Sequence, residues 1–187
     1  LFAQLFSAIS HKQVIKIQYY RFEDTNSHHQ IIVHPYLLKE YNRRWYLICA
    51  AEKDDKLLTF ALDRIISTET LPAHIYEEYD GNLQERYEDI VGVTLYENKP
   101  LEHIVFWVSD ESKHYVMTKP IHESQRNYTH ERETELRKTY PMLINGAFFS
   151  VDCIVNYELI RELMSFGKDL LVLEPQNIKN KKKKKIS

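Results

Sequence analysis

The chain has 187 residues, 43% of them hydrophobic and 28% charged, which is typical of a globular protein of one or two domains with an apolar core. It has only 4 glycines, which excludes a glycine-rich phosphate loop. No apolar run approaches the roughly 18 residues of a membrane span, which excludes a membrane-spanning helix. Without the six lysines at Lys179 and Lys181–Lys185, 19 basic residues stand against 27 acidic ones, a net charge of −8. The body of the chain is therefore a poor non-specific binder of phosphate backbones, and any nucleic-acid site would have to be a local basic patch.

The first part of the chain predicts one helix followed by five short strands. Apolar side chains recur at helical spacing over Leu1–Ser10, which predicts the helix. Alternating or continuous apolar runs predict strands at Val14–Tyr20, Gln30–Lys39, Arg44–Ala51, Leu57–Leu62 and Ile65–Leu71. The polar stretch Glu23–His29 predicts a hairpin loop, and Pro35 requires a sheet edge or a bulge. The run at Arg44–Ala51 predicts a strand that is either buried on both faces or central in its sheet. Short strands at this spacing favour a small closed barrel.

The second part of the chain predicts an alternation of strands and helices. Helices are predicted at Asn82–Ile90, Asp110–Met117 and Tyr157–Phe166, and strands at Glu102–Asp110, Arg132–Thr139, Ala147–Val155 and Leu170–Leu173. From Glu102 onward the order is β-α-β-β-α-β, the split βαβ or ferredoxin-like arrangement. The sequence therefore predicts an α+β protein of two domains, with a first domain at 1–72, a linker at 73–100, a second domain at 101–176 and a disordered lysine-rich tail at 177–187.

The residue types needed for catalysis or for metal binding do not occur in recognisable patterns. There are nine histidines but no HExxH motif, and no serine lies in a GxSxG turn. Cys49 and Cys153 each lie within an apolar run, as buried reduced thiols do. We therefore expect no enzyme, no metal and no cofactor, and in the absence of a signal peptide we expect a cytoplasmic location.

A basic and aromatic turn is the strongest candidate for binding. Lys39, Asn42, Arg43, Arg44 and Trp45 lie within seven residues, and arginine forks and aromatic faces suit phosphates and bases. The alternative is a basic turn on the surface in which Trp45 plugs the barrel core.

Two further polar groups are ambiguous by sequence. The pair Asp63–Arg64 ends an apolar strand, and it is either an internal ion pair or an arginine held in place to read a ligand. In the stretch Pro120–Gln125, the side chains of His122, Ser124 and Gln125 either cap a loop or form a secondary site.

These motifs together resemble those of the WYL domain, named for a Trp-Tyr-Leu that stands here as Trp45, Tyr46 and Leu47. The resemblance rests on Tyr19, on His34-Pro35-Tyr36, on Arg44 to Leu47 and on Leu62 to Ile65. The second part resembles the C-terminal extension of WYL proteins, and the stretch Pro120–Gln125 is similar to a Bacteroidetes-type subgroup. The resemblance implies an SH3-like (Sm-like) barrel preceded by a helix and followed by a ferredoxin-like domain.

The resemblance also implies a set of ligand-facing residues. Its core is Tyr19, His34, Tyr36, Trp45 and Arg64, with Asp63 beside them and Lys39, Asn42 and Arg44 at the rim. One departure concerns the fourth strand, where many members carry an arginine and a further polar residue, but this chain has Leu58 and Ala61. The loss of one expected phosphate-binding cation makes a nucleic-acid effector less expected here than in the family at large.

WYL proteins are typically bacterial transcription regulators with an N-terminal helix-turn-helix domain, and we expect that this domain precedes Leu1. The resemblance implies an effector-sensing region that forms a homodimer, binds a nucleotide or a short nucleic acid, and meets duplex DNA only through the missing domain. Two alternatives stay open: a stand-alone module that binds single-stranded nucleic acid, and a purely structural dimerisation module.

Overall fold

The first half of the chain folds into a unit of one helix and five strands, residues 1–83. The computed structural model describes residues 1–21, 24–96 and 98–180, apart from the side chains of residues 24–27 and 55. The elements of this unit are α1 (Phe2–Ser10), β1 (Ile15–Arg21), β2 (Asp24–Tyr41), β3 (Arg44–Ala51), β4 (Asp54–Ala61), a 3-10 turn (Leu62–Arg64) and β5 (Ile65–Thr70). The strands form one antiparallel sheet in the order β4-β3-β2-β1-β5.

The apolar periodicity of the sequence explains the core of this unit. Alternate residues of β1 and β3, such as Ile17 and Leu47, point to one face, where they pack with Leu5 of α1. The other face of β3 is also covered, since Ile48 is as fully buried as Leu47. The prediction of a strand that is buried on both faces or central is therefore confirmed, since β3 lies between β4 and β2 and its residues 47–50 are buried on both faces.

Two predictions for this sheet need correction and one is confirmed. The closed barrel is wrong for the described residues, in which β4 and β5 remain unpaired edges, because strand spacing gives the number of strands but not whether the edges meet. Residues 24–29 are strand rather than loop, since the ladder is made by backbone hydrogen bonds, which do not require apolar side chains. Glu23, at the start of the predicted loop, lies outside the described residues. The bulge expected near Pro35 is present as a register shift between Pro35 and Leu37.

The second unit begins at Gln84 and contains a four-stranded sheet. Its elements are α2 (Leu83–Glu88) at the boundary, β6 (Leu101–Val108), α3 (Asp110–Thr118), β7 (Arg126–Asn127), α4 (His130–Thr139), β8 (Ala147–Ile154), α5 (Tyr157–Ser165), a 3-10 turn (Gly167–Asp169) and β9 (Leu170–Glu174). The sheet order is β7-β8-β6-β9, all antiparallel. Large side chains such as Phe106, Phe149 and Leu163 fill its core.

The predicted strand at Arg132–Thr139 is wrong, because this stretch is helix α4. Its residues are mostly strong helix formers, and Glu133 and Arg137 are four positions apart with their side chains paired at 2.6 Å. Leu136 is its buried apolar residue, so the apolar period was too sparse to distinguish helix from strand.

The predicted linker and tail also differ from the structure. Residues 73–83 belong to the first unit, where the Tyr76 hydroxyl donates to the carbonyl of Pro35 at 2.8 Å. Residues 84–100 belong to the second unit, where the Asn156 amide donates to the carbonyl of Val91 at 2.7 Å. Residues 176–180 are helical, and the apolar side chain of Ile178 is buried. The rest of the predicted tail, 181–187, lies outside the described residues. Of the helices described, none is long and apolar enough to span a membrane.

Candidate functional site

The turn between β2 and β3 presents the basic residues at one end of the sheet. Asn42 and Arg43 both have positive φ, 50° and 63°, which is the signature of a type I′ turn. Asparagine tolerates this conformation through its short polar side chain, whereas arginine is unusual there. The turn leaves both side chains exposed and pairs Tyr41 with Arg44 at the strand ends.

Arg44, the first residue of β3, is paired with Asp63 of the 3-10 turn. The guanidinium Nη2 lies 3.1 Å from the Asp63 carboxylate, and the two side chains are 42% and 49% exposed. An ion pair this exposed contributes only about 0–1 kcal/mol to stability, so it orients Arg44 more than it stabilises the fold. The Tyr20 hydroxyl donates to the backbone carbonyl of Asp63 at 3.3 Å and so fixes the 3-10 turn from the other side.

The next residue, Arg64, lies over an aromatic ring. Its guanidinium carbon is 5.0 Å from the centroid of Tyr19, and the ring of Tyr19 meets Phe60 edge-on at 4.8 Å. Burial raises the pKa of Tyr19, although the nearby charge of Arg64 lowers it in part, so the phenol is neutral at neutral pH. Arg64 is therefore a cation held on a neutral aromatic face. The arginine site is defined here as Tyr19, Arg44, Asp63 and Arg64.

His34 and Tyr36, predicted to face the ligand, lie under residues 73–83 of the same unit. His34 is 1% exposed, and its Nδ1 accepts from the backbone N–H of Glu77 at 3.1 Å. Tyr36 packs against Tyr76 and Tyr79 with ring centroids 6.1 and 5.8 Å apart. These two residues therefore anchor the segment that covers them.

The remaining predicted residues divide between the two faces of the sheet. Trp45 lies on the α1 side, 39% exposed, with its ring edge-on to Phe2 at 4.8 Å, so it is not a barrel plug. Lys39 pairs with Tyr46 on the face that carries Arg44. Sequence reasoning did not select Tyr46 for binding, although its alternation with Trp45 places it beside Arg44.

The predicted secondary site holds a loop together. The Nδ1 of His122 accepts from the backbone N–H of Ser124 at 3.2 Å, and its Nε2 lies 2.6 Å from the carbonyl of Glu88. The Ser124 hydroxyl donates to the carbonyl of Asp152 at 3.0 Å. Gln125 bonds the backbone of Ile121 and Val116, each at 2.9 Å. These contacts correspond to the capped-loop alternative.

A polar triad that sequence reasoning missed lies on the sheet of the second unit. His103 bonds the Asp152 carboxylate through Nδ1 at 2.7 Å and the Tyr128 hydroxyl through Nε2 at 2.8 Å. The three residues lie 24 to 49 positions apart in sequence, so only strand pairing signals their contact. All three are near the surface, and Arg132 lies over the Tyr128 ring at 5.8 Å.

Two features of the described residues concern metal and thiol chemistry. No group of three or more His, Cys, Asp or Glu side chains there lies close enough together to hold a metal ion. Burial raises the pKa of the Cys49 thiol and raises that of Cys153 to about 12. A thiol with a raised pKa is a poor nucleophile at neutral pH because little thiolate forms.

The comparison with known families agrees with the motifs on β3 and the 3-10 turn. A family model of the WYL domain matches residues 1–70. The WYL-domain match thus spans α1, all five strands of the first unit and the whole arginine site.

Two solved structures resemble the chain at low identity. One is proteasome accessory factor B/C (PafBC) of Arthrobacter aurescens, at 15% identity and a TM-score of 0.37, covering 98% of this chain and 25% of that one. The other is a CRISPR Cas-related protein, at 12% identity and a TM-score of 0.48, covering 97% of this chain and 48% of that one. The chain spans less than half the length of either structure. A search of curated proteins gave no match.

Proposed function

We propose that the first unit is the effector-sensing domain of a WYL-type transcriptional regulator and that it binds an anionic effector at the arginine site. The observation that carries this proposal is that two neighbouring residues of the 3-10 turn each fix the position of a guanidinium group. Asp63 pairs with the guanidinium of Arg44, and the guanidinium of Arg64 itself lies over the ring of Tyr19. Guanidinium groups bind phosphate and carboxylate through paired hydrogen bonds, and aromatic rings accept stacked bases.

The exposed Arg44–Asp63 pair supplies a mechanism for sensing. A phosphate group replaces the Asp63 carboxylate as the partner of Arg44 at little cost, because a half-exposed ion pair is weak. Release of Asp63 frees the 3-10 turn, and with it the position of Arg64. An effector bound in this way favours one arrangement of the regulator over another and so controls a separate DNA-binding domain, which we place before Leu1.

The fold assignments support the same proposal. We assign the first unit to the SH3-like type on the basis of a five-stranded meander whose fifth strand returns to the first after a 3-10 turn. We assign the second unit to the ferredoxin-like type, with α4 inserted between its second and third strands. We further propose that the chain is non-enzymatic, cytoplasmic and homodimeric, with the second unit contributing to the dimer.

A thermal-shift screen of this chain tests the proposal, with nucleotides, cyclic dinucleotides and short single-stranded DNA as ligands. A ligand at about 100 times its dissociation constant stabilises the native state by about 2.7 kcal/mol. We expect at least one ligand to raise the melting temperature of the wild-type chain. We expect this shift to be lost in Arg64→Ala and reduced in Arg44→Ala. Lys53→Ala, in the exposed turn between β3 and β4, is the matched control and keeps the response.

One observation favours the alternative of single-strand binding. Phe2 and Trp45 are 43% and 39% exposed and lie edge-on to each other beside the basic turn, which suits the stacking of unpaired bases. This alternative predicts that only oligonucleotides bind, with a steep salt dependence, and that Trp45→Ala abolishes binding. If no ligand of the screen raised the melting temperature, both proposals would be contradicted and a structural dimerisation module would be favoured. An effector that leaves the DNA affinity of the full-length regulator unchanged would contradict the sensing mechanism.

A further inference from the structure

The second unit contains an apolar cavity of about 550 Å³ that the proposed function does not use. It lies between the connection from α4 to β8, the end of α5 and strand β9. Its volume is within the range of roughly 300–1,000 Å³ typical of small-molecule sites. The cavity is therefore large enough for a ligand and not only for water.

The lining of the cavity is apolar and partly open to solvent. Leu143, Val172 and Leu173 are buried at its base, whereas Met142 and Leu171 remain 74% and 41% exposed at its rim. Met164 of α5 completes the apolar wall. Methionine adapts its shape to irregular ligands, and the exposed apolar surface gains free energy when a ligand covers it.

The charge of the cavity is one-sided. Two lysines, Lys168 and Lys179, line it together with Tyr140, and none of the described lining residues is acidic. The Lys179 ammonium lies 5.9 Å from the centroid of the Tyr140 ring, which holds this cation beside the cavity. Lys168 follows Gly167, whose φ of 55° turns the chain between α5 and β9. An apolar lining with two cations and no anion is complementary to an apolar molecule that ends in a negative charge.

We propose that this cavity binds an amphipathic anion, a carboxylate attached to an apolar chain or ring system. The apolar part packs against Met142, Met164 and Leu171, and the carboxylate lies between Lys168 and Lys179. This second ligand site is independent of the arginine site, which lies in the other unit. The chain then senses two chemically different anions, one polar and one apolar.

Calorimetric titration of the whole chain with dodecanoate below its micelle concentration tests the proposal. Dodecanol and dodecyltrimethylammonium serve as matched neutral and cationic probes. We expect dodecanoate to bind and the other two to bind at least about tenfold more weakly, because only the carboxylate forms charge-assisted hydrogen bonds with the lysines.

Variants locate the site. The double variant K168Q/K179Q lowers dodecanoate affinity by about tenfold or more through the loss of both cations. The double variant K99Q/K138Q removes the same charge from the same unit at lysines outside the cavity and leaves affinity unchanged. Leu171→Trp fills the mouth and blocks binding. Met142→Glu, at a rim position that is exposed enough to tolerate a charge, repels the carboxylate if the tryptophan variant does not fold.

Three outcomes would overturn the proposal. The first is no binding of dodecanoate in wild-type protein, and the second is equal binding of acid and alcohol with no effect of K168Q/K179Q. The third is binding that disappears when the chain is truncated after Asn180 yet survives K168Q/K179Q, because the lysine run would then be the site. Analytical ultracentrifugation adds a check. If the chain is a dimer that Leu171→Trp dissociates and dodecanoate does not, the cavity is occupied by a second copy of the chain rather than by a small anion.

Discussion

Arg64 lies over the ring of Tyr19 with its guanidinium carbon 5.0 Å from the ring centroid, while the preceding residue, Asp63, pairs with Arg44. Tyr19 belongs to the apolar core of the first unit, whereas Arg44 begins β3 next to the exposed turn, with its side chain 42% exposed. The 3-10 turn at Leu62–Arg64 therefore joins the core to the exposed basic turn. A ligand that moves one residue of this turn moves the other, because the two are adjacent in the chain.

A double-mutant cycle measures the contact between Arg64 and Tyr19. We expect Arg64→Ala and Tyr19→Leu each to lower the free energy of unfolding, with a coupling of about 0.5–2 kcal/mol, the range of a partly desolvated cation–π contact. Urea unfolding of the four proteins gives the coupling. A parallel cycle of Tyr19→Leu with Arg43→Ala, at the turn tip, is the control and gives a coupling near zero. Additive effects in the first cycle would show that Arg64 does not contact the ring.

Replacement of Arg43 tests the left-handed turn. The φ of 63° at Arg43 is unfavourable for a residue with a Cβ and free for glycine. We expect Arg43→Gly to be more stable than Arg43→Ala by roughly 1 kcal/mol, since both variants lose the same charge and only glycine relieves the strain. The midpoint of urea unfolding measures this difference. An alanine variant as stable as the glycine variant would contradict a type I′ turn.

The stability of the first unit depends on pH through Tyr76. Burial, with a contribution from Glu78, raises the pKa of Tyr76 to about 12, whereas an unfolded tyrosine titrates near 10. The native state thus holds this proton more tightly, so the stabilisation is complete below pH 10 and is lost as the pH rises toward 12.

Tyr76→Phe isolates this effect. At pH 8 the variant loses the hydrogen bond to the Pro35 carbonyl and is expected to be less stable by about 0.5–1.5 kcal/mol. The deficit shrinks between pH 10 and 12, because phenylalanine has no proton to lose. Thermal unfolding across this range measures the deficit, with Tyr96→Phe, at an exposed position in the second unit, as the control. A deficit that stays constant with pH would contradict the prediction.

Two glycines of the second unit differ sharply in their tolerance of a side chain. A Cβ at Gly146, where φ is 84°, would lie 2.2 Å from the Val108 carbonyl oxygen, whereas a Cβ at Gly167, where φ is 55°, meets nothing within 4 Å. We expect Gly146→Ala to lower the free energy of unfolding by about 3 kcal/mol or more, through backbone strain and overpacking together. Gly167→Ala is expected to cost only about 1–2 kcal/mol, the backbone term alone. Equal losses in chemical unfolding would contradict the close approach at Gly146.

The arginine site was only partly predictable from sequence. The motifs marked Arg44, Asp63 and Arg64 as polar residues at strand ends, but whether Asp63 pairs with Arg44 or with Arg64 depends on how the 3-10 turn is wound. His34 and Tyr36 belong to the same sequence pattern, yet residues 73–83 fold over them. Residues 73–83 have no periodic pattern of apolar side chains, so their packing over His34 and Tyr36 could not be predicted from the local sequence.

Local patterns in the sequence were enough to predict the helix and the five strands of the first unit, the irregularity near Pro35 and the burial of residues 47–50 of β3 on both faces. These features follow from local periodicity and from the missing N–H of proline, which act within a few residues. The helical state of Arg132–Thr139 also has a local origin, in its many helix formers and the Glu133–Arg137 pair, although its apolar pattern was too sparse to show it. The tertiary fold, in contrast, sets whether the sheet of the described residues closes and brings His103, Tyr128 and Asp152 together, because both features depend on contacts between segments far apart in the chain.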